Sequence, residues 1–214
     1  MSPQTALVYK VIPVTPLVQN CSLLWCPRTR RGAAVDPGGE AERIRAEARR
    51  AGVQLERVLL THAHIDHVGA AGALGVPVEG PHRADAFLVD LLEEQSGLFA
   101  VPLEGQPIRP QWLADGEVVR FGDVELEVLH CPGHTPGHVV YYHRAGRLAL
   151  TGDVLFQGSV GRTDLPGGNF ETLVRSIRQR LFTLGDEVAF IPGHGPMSTL
   201  GAERRTNPFV GADA

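Results

Sequence analysis

A mixed α/β fold in a single domain is what this sequence predicts, on three observations. Short apolar runs rich in Val and Leu alternate with amphipathic stretches at helical spacing. Gly and Pro punctuate nearly every junction between them. The chain has 214 residues, which suits one large domain over 1–214 better than two small ones. With 43% apolar and 21% charged residues it is expected to fold rather than stay disordered. Strands in both halves with a few helices between them imply sheet layers covered by helices.

Residues 5–14, 21–26 and 32–35 read as strands. The turn Asp36-Pro-Gly-Gly39 then leads into a helix that carries Ala41, Ile44, Ala48 and Ala51 on one face. Glu40 and Glu42 in its first turn, Arg49 and Arg50 in its last, and Gly52 just beyond fit the helix dipole and a glycine stop. Residues 53–61 form a strand, and a second amphipathic helix is predicted over 83–95, with Ala84, Phe87, Leu88, Leu91 and Leu92 on its apolar side. Residues 117–130 read as a hairpin turning at Gly122-Asp123. Residues 138–142 and 147–151 form another, with Ala145-Gly146 at its turn; a third helix spans 170–182 and a last strand 187–191.

Composition removes several function classes. A net charge of -4 gives no reason to expect nucleic acid as a partner. No apolar segment approaches the ~20 residues needed to cross a bilayer, and the N-terminus lacks a basic region followed by an apolar one, so a cytoplasmic protein is expected. Cys21, Cys26 and Cys131 form no CxxC pair, and their odd number argues against a disulfide framework. Each is read as a small buried hydrophobe rather than a nucleophile.

The chemistry concentrates in His62-Ala-His64-Ile-Asp66-His67, directly after the apolar run Val58-Leu59-Leu60-Thr61. Neutral imidazole and carboxylate are ligands for zinc, iron and manganese. Packing so many polar rings into an interior without a metal would leave nitrogens and oxygens in need of partners. Three further segments repeat the same grammar of strand, short Gly/Pro loop and ligand-type residue: Cys131-Pro-Gly-His134-Thr-Pro-Gly-His138, Gly152-Asp153, and Pro192-Gly193-His194-Gly195. His138 is placed either to orient a ligand or simply to pack against the loop, while His82 and His143 lie in polar or turn contexts and are read as solvated.

Taken together, His62, His64, Asp66, His67, His134, Asp153 and His194 resemble the metallo-β-lactamase superfamily. The resemblance implies an α+β fold, an αββα four-layer sandwich with metals held in loops at one edge. It also implies two divalent metal ions, zinc first, with iron and manganese compatible with the ligand set. His62, His64 and His134 would hold one, Asp66, His67 and His194 the other, and Asp153 would bridge them. Filling of all seven positions argues against a non-catalytic sensor. Two such metals generate hydroxide at neutral pH and polarise a carbonyl, and Asp66 is assigned the catalytic role of moving the water's proton. No GxSxG elbow or Walker loop competes with this reading.

Thr151-Gly-Asp153-Val-Leu-Phe156, Gly161-Arg-Thr-Asp164 and Ile191-Pro-Gly-His-Gly-Pro-Met-Ser-Thr-Leu200 are similar to the hydroxyacylglutathione hydrolase (glyoxalase II) branch, in its short, single-domain bacterial form. That branch hydrolyses thioesters such as S-D-lactoylglutathione to D-lactate and glutathione, a step of methylglyoxal detoxification. The short form lacks the helical C-terminal domain that recognises the glutathione carboxylate in longer enzymes, so a looser thioester specificity is expected. Arg162 stands where those enzymes carry a Lys that contacts glutathione, which makes it the substrate-binding residue; the alternative is a loop Arg bonding nearby carbonyls. The competing branch is the persulfide dioxygenases, whose single iron uses ligands of the His62, His134 and Asp153 type. Hydrolysis of other thioesters or lactones is a further alternative.

Overall fold

Alternation of side chains along the strands decides how the layers stack. In β1 (Val8–Val14), β2 (Gln19–Trp25) and β3 (Arg31–Val35), successive residues face opposite sides of the sheet, as the pleat requires. Cys21, Leu23 and Trp25 join one buried cluster while Leu24 joins another. Helix α1 (Ala41–Arg50) covers the first face through Ala41, Ile44 and Ala48. Strand β4 (Gln54–Leu59) returns parallel to β3. It is followed by a one-turn helix α2 (Ile65–Val68), a short strand β5 (Val78–Glu79), and helices α3 (Ala86–Asp90) and α4 (Leu92–Phe99). The first sheet therefore runs β1-β2-β3-β4-β5.

The second sheet has strand order β13-β12-β9-β8-β7-β6. Its members are β6 (Val118–Phe121), β7 (Val124–His130), β8 (Val139–His143), β9 (Leu148–Gly152), β12 (Ala189–Pro192) and β13 (Ser198–Thr199). A separate hairpin pairs β10 (Leu155–Phe156) with β11 (Ser159–Val160). Val139 and Tyr141 of β8 face the first sheet, and Val140 and Tyr142 face outward toward α5 (Phe170–Ser176) and α6 (Leu200–Thr206). Three apolar layers thus separate four structural ones, giving an αββα sandwich of the α+β class. Because both faces of β8 and β9 are buried, these strands read as continuous apolar runs instead of alternating ones.

The structure is a computed structural model that describes residues 6–212. Thr5, at the expected start of the first strand, and the N-terminal segment judged to lack a leader lie outside the described residues. Both expected hairpins form. The helix expected over 83–95 breaks into a 3₁₀ turn, α3 and α4, because Leu91 leaves helical geometry at φ -98, ψ 9; the helical region then runs on to Phe99. The third helix begins at Phe170 as expected but widens into a π-turn over Ile177–Leu181. His143 corrects the solvated reading: it is buried at the end of β8, where its Nδ1 accepts from the Gly146 amide across the turn. Among the described residues no helix is long and apolar enough to cross a membrane.

One contact couples the sheets to the histidine loop. Tyr141 is fully buried, and its hydroxyl donates to the Leu60 carbonyl at 2.8 Å, two residues before His62. Tyr141→Phe keeps the ring and removes that donor. It is expected to lower unfolding free energy by about 1 kcal/mol in urea; an unchanged midpoint would show that the contact carries no weight.

Candidate metal centre

Parallel pairing gathers the ligand-bearing loops. β3 runs parallel to β4, and β9 runs parallel to β12; β7 and β9 share a direction because both are antiparallel to β8. The chain leaves the C-terminal ends of β3, β4, β7, β9 and β12 into Asp36, His62, His134, Asp153 and His194 respectively. Backbone bonds sew the ends together: Val139 N–H to Thr61 O at 2.8 Å, Gly193 N–H to Gly152 O at 2.8 Å, and Asn20 N–H to Gly193 O at 2.7 Å. A cluster of groups at strand ends is the arrangement in which sheet proteins commonly build sites.

All seven expected ligand residues meet there. His62, His64 and His134 present ligand atoms within 4.8 Å of one another, and Asp66, His67 and His194 do the same. Asp153 lies between the sets: its Oδ1 is 3.4 Å from His67 Nε2, and its Oδ2 is 3.7 Å from His134 Nε2 and 3.8 Å from His194 Nε2. Asp66 Oδ2 stands 3.1 Å from His194 Nε2.

The outer nitrogens fix which ring atom carries a lone pair inward. His134 Nδ1 donates to the Arg162 carbonyl at 2.7 Å, and His194 Nδ1 to the Leu17 carbonyl at 3.1 Å. His67 Nδ1 donates to Asp36 Oδ2 at 3.0 Å. Thr61 Oγ1 donates to the same carboxylate at 2.7 Å, so it accepts from His62 Nδ1 at 3.0 Å. Each Nε2 is then a bare acceptor aimed at the centre, the state a metal ligand needs. His62 Nε2, His67 Nε2 and Asp153 Oδ1 are buried with no protein partner, and such orphans are costly. His64 Nδ1 faces His134 Nε2 at 3.0 Å. This donor set of imidazoles and carboxylates fits divalent cations.

Electrostatics agree. Burial opposes a proton on His67, yet the carboxylates of Asp153, Asp66 and Asp36 raise it well above the ordinary imidazole value. Burial also opposes charge on Asp153, but the facing His67 holds its carboxyl well below the usual range. His64, buried and beside His134, falls to about 3. The cluster divides by charge: the carboxylates favour positive charge on the His67 and His194 side, against the cost of burial, while burial and neighbouring rings keep His62, His64 and His134 neutral. Space is reserved as well: a Cβ on Gly193 would sit 2.0 Å from Asp153 Oδ1 and 2.6 Å from His67 Cε1. A Cβ on Gly152, at φ +48, would stand 2.5 Å from Thr61 Oγ1 and 2.7 Å from His138 Cε1.

Several supporting groups escape sequence reasoning. Asp36 groups geometrically with His62 and His67, but its oxygens are committed to Thr61 N–H, Thr61 Oγ1 and His67 Nδ1, so it orients ligands from outside. Asp85, fully buried, accepts from Gly137 N–H at 2.5 Å, Thr135 Oγ1 at 2.8 Å and Ala63 N–H at 3.2 Å, tying the His62–His67 loop to the His134–His138 loop. Burial pushes its carboxyl up to about 6 against the pull of those donors. Its only sequence signal is an acid amid the apolar positions of a helix start.

His138 is fully buried; it stacks on His62 with ring centroids 4.7 Å apart, and its Nε2 accepts from the Asp153 amide at 3.0 Å. It therefore both packs and orients. Arg162 lines the opening above the centre together with His64, Asp66, His134, Asp153 and His194. Its guanidinium is bound in a fork to Asp164, Nε to Oδ1 and Nη2 to Oδ2, both at 2.7 Å. The bond to Asp164 replaces the carbonyl contacts expected of a loop Arg; its own carbonyl is what touches His134. Cys21, Cys26 and Cys131 are free and buried, and burial lifts the Cys131 thiol to about 12, which removes it as a nucleophile.

The fold and this cluster place the chain in a known family. The sequence model of the Metallo-beta-lactamase superfamily matches residues 14–194, and the chain belongs to that superfamily. Its metal-binding cluster and its relatives make it a metal-dependent hydrolase of that family. It is 44% identical over 206 residues to the hydroxyacylglutathione hydrolase GloC of Haemophilus influenzae, covering 94% of this chain and 97% of that one. The crystal structure of BLEG-1 B3 metallo-beta-lactamase superposes with a TM-score of 0.86 at 34% identity, over 95% of this chain and 99% of the other. That of TTHA1623 in a di-iron-bound form does so with a TM-score of 0.84 at 39% identity, over 94% and 99%.

Asp85 can be tested directly. Asp85→Asn keeps the shape but offers one acceptor oxygen to three donors, leaving at least one buried donor unpaired. A loss of about 1–3 kcal/mol in unfolding free energy is expected, together with weaker metal retention on dialysis. Wild-type stability in this variant would show that the carboxylate does not tie the loops.

Proposed function

We propose that the protein is a glutathione thioester hydrolase that converts S-D-lactoylglutathione to D-lactate and glutathione, within methylglyoxal detoxification. The observation that carries this reading is the completeness of both ligand sets around Asp153. A persulfide dioxygenase needs only the His62, His134 and Asp153 portion. The equal-length relative named as a hydroxyacylglutathione hydrolase supports the substrate. In this reading the whole chain works as one metallo-β-lactamase-like domain in the cytoplasm, where the three free thiols stay reduced.

His62, His64 and His134 would hold one divalent cation, and Asp66, His67 and His194 a second, with Asp153 reaching both. Zinc suits the nitrogen-rich first set, while iron, present in a similar solved structure, and manganese suit the second equally. Bound there, two cations supply an acidified water and a polarised thioester carbonyl.

The chain's own residues do the rest. Asp66 is buried next to His67 and His194, which outweigh burial and hold its carboxyl below the ordinary value, so it is ionised at neutral pH. It accepts the proton released as the water attacks the carbonyl carbon and delivers it to the departing thiolate sulfur. The C–S bond breaks, and the products are a thiol and a carboxylic acid, which releases its remaining proton to solvent as the carboxylate. Asp36 and the Leu17 and Arg162 carbonyls hold the imidazoles in place while charge shifts.

Two outcomes are expected. Metal-loaded protein should hydrolyse S-D-lactoylglutathione, followed as loss of thioester absorbance, with kcat/KM of about 10⁴ M⁻¹s⁻¹ or more. No turnover, with oxygen uptake on glutathione persulfide instead, would move the protein to the dioxygenase branch. Asp153→Ala should lose both metals and at least about 10³-fold in kcat/KM, since it removes the one carboxylate shared by both sets. A metal-loaded, active Asp153→Ala protein would remove the site assignment.

A further inference from the structure

We infer that the pocket over the metal centre selects its thioester by an apolar acyl chain rather than by the charges of the thiol. This rests on the hydrolytic reading above and narrows its substrate class.

The opening above the ligands encloses about 430 Å³. Its floor is the ligand cluster, and its walls are largely apolar: Leu17, Ile65, Phe99, Phe156, Val160 and Leu165. The Phe156 ring stands edge-on to the His194 ring, with centroids 6.3 Å apart, so an aromatic surface begins where the ligands end. Exposed apolar residues also flank two of the wall residues along the chain. Leu17 is 46% exposed, Val18 beside it 61%, and Leu98 beside Phe99 75%. Val18 is held at φ 55, a conformation that β-branched residues avoid. That turn keeps the Leu17 carbonyl on His194 and the Leu17 side chain in the wall.

Charge recognition is weak in the same pocket. Glutathione carries two carboxylates, and a site built for it would offer free cations. Apart from the histidines of the floor, the lining has a single cationic side chain, Arg162, and Asp164 occupies its fork with two bonds of 2.7 Å. A carboxylate arriving there must compete with an intramolecular carboxylate already in bidentate geometry. A lactoyl group, with one methyl and one hydroxyl, leaves most of the wall wet. A longer apolar acyl group covers it, and each buried methylene is worth about fourfold in binding.

The test uses metal-loaded protein and a series of acetyl-, butyryl- and hexanoyl-glutathione, with S-D-lactoylglutathione and hexanoyl-N-acetylcysteamine for comparison. On this proposal kcat/KM rises about two- to fourfold per methylene, and the hexanoyl thioester exceeds the lactoyl one by tenfold or more. The uncharged N-acetylcysteamine thioester stays within about threefold of its glutathione counterpart. Phe156→Ala cuts the hexanoyl-to-acetyl ratio at least threefold. Asp164→Asn frees Arg162 and lowers KM for the glutathione thioesters but not for the N-acetylcysteamine one. Calorimetry gives a readout without turnover: S-hexylglutathione binds at least tenfold tighter than S-methylglutathione. Equal binding of those two thioethers, or a flat acyl series with the charged thiol preferred, overturns the proposal. Loss of all thioester turnover with the S-hexyl preference kept overturns the hydrolytic reading alone.

Discussion

Inward-facing lone pairs without protein partners are what the rest of this molecule is arranged to hold. His62 Nε2, His67 Nε2 and Asp153 Oδ1 are buried and make no hydrogen bond to the protein. Such atoms weaken a fold unless something positive joins them. The scaffold fixes their direction by binding the opposite atom of each ring to a group that cannot move: two backbone carbonyls, a threonine hydroxyl and the buried Asp36 carboxylate. Each of those groups sits at the end of a strand or in a loop clamped by ladder bonds, so ligand geometry is inherited from sheet register. The two sheets thus act as a jig for one cluster.

That dependence explains which parts were legible from the residues. The His62–His67 run, the strand before it and the later Gly/Pro loops declare themselves, because ligand chemistry needs particular side chains and the loops need glycine. Gly193 shows the second point: any Cβ there would occupy the place of Asp153 Oδ1. The layering was only half legible. In β2 the alternation of Cys21, Leu23 and Trp25 against Leu24 is present in the sequence, but which face meets which layer is decided by the whole assembly. Strands β8 and β9 carry no alternation because both their faces are buried, and only their length and turn residues marked them as strands.

The residues that sequence reasoning missed share a physical feature. Asp36 and Asp85 act on partners 22 to 52 positions away, through two threonine hydroxyls, backbone amides and one imidazole nitrogen. Arg162 and Leu17 contribute through carbonyl oxygens, a role any residue can fill and no side chain announces. His143 was misread for a related cause. A histidine next to an Arg-rich turn looks solvated in a linear pattern, yet at the end of β8 it is covered by the sheet and satisfied by its own turn. Local composition reports the neighbours along the chain, whereas burial reports the neighbours across it.

Arg162 brings these threads together. Its position in the sequence pointed to an anion-binding side chain, and its guanidinium does lie at the mouth of the centre. Two residues later the chain supplies Asp164 at bidentate distance, so the same short loop both provides the cation and occupies it. Meanwhile the backbone of Arg162 orients His134, which limits how far the loop can shift to open that fork without disturbing a ligand. Gly161 tightens the constraint, because a Cβ there would meet the Asp153 carbonyl at 1.8 Å. The loop is therefore anchored to the ligand cluster on its main-chain side and self-paired on its side-chain side. Orienting His134 and pairing an incoming anion thus fall to one segment of chain, and its geometry serves the first while Asp164 already fills the second.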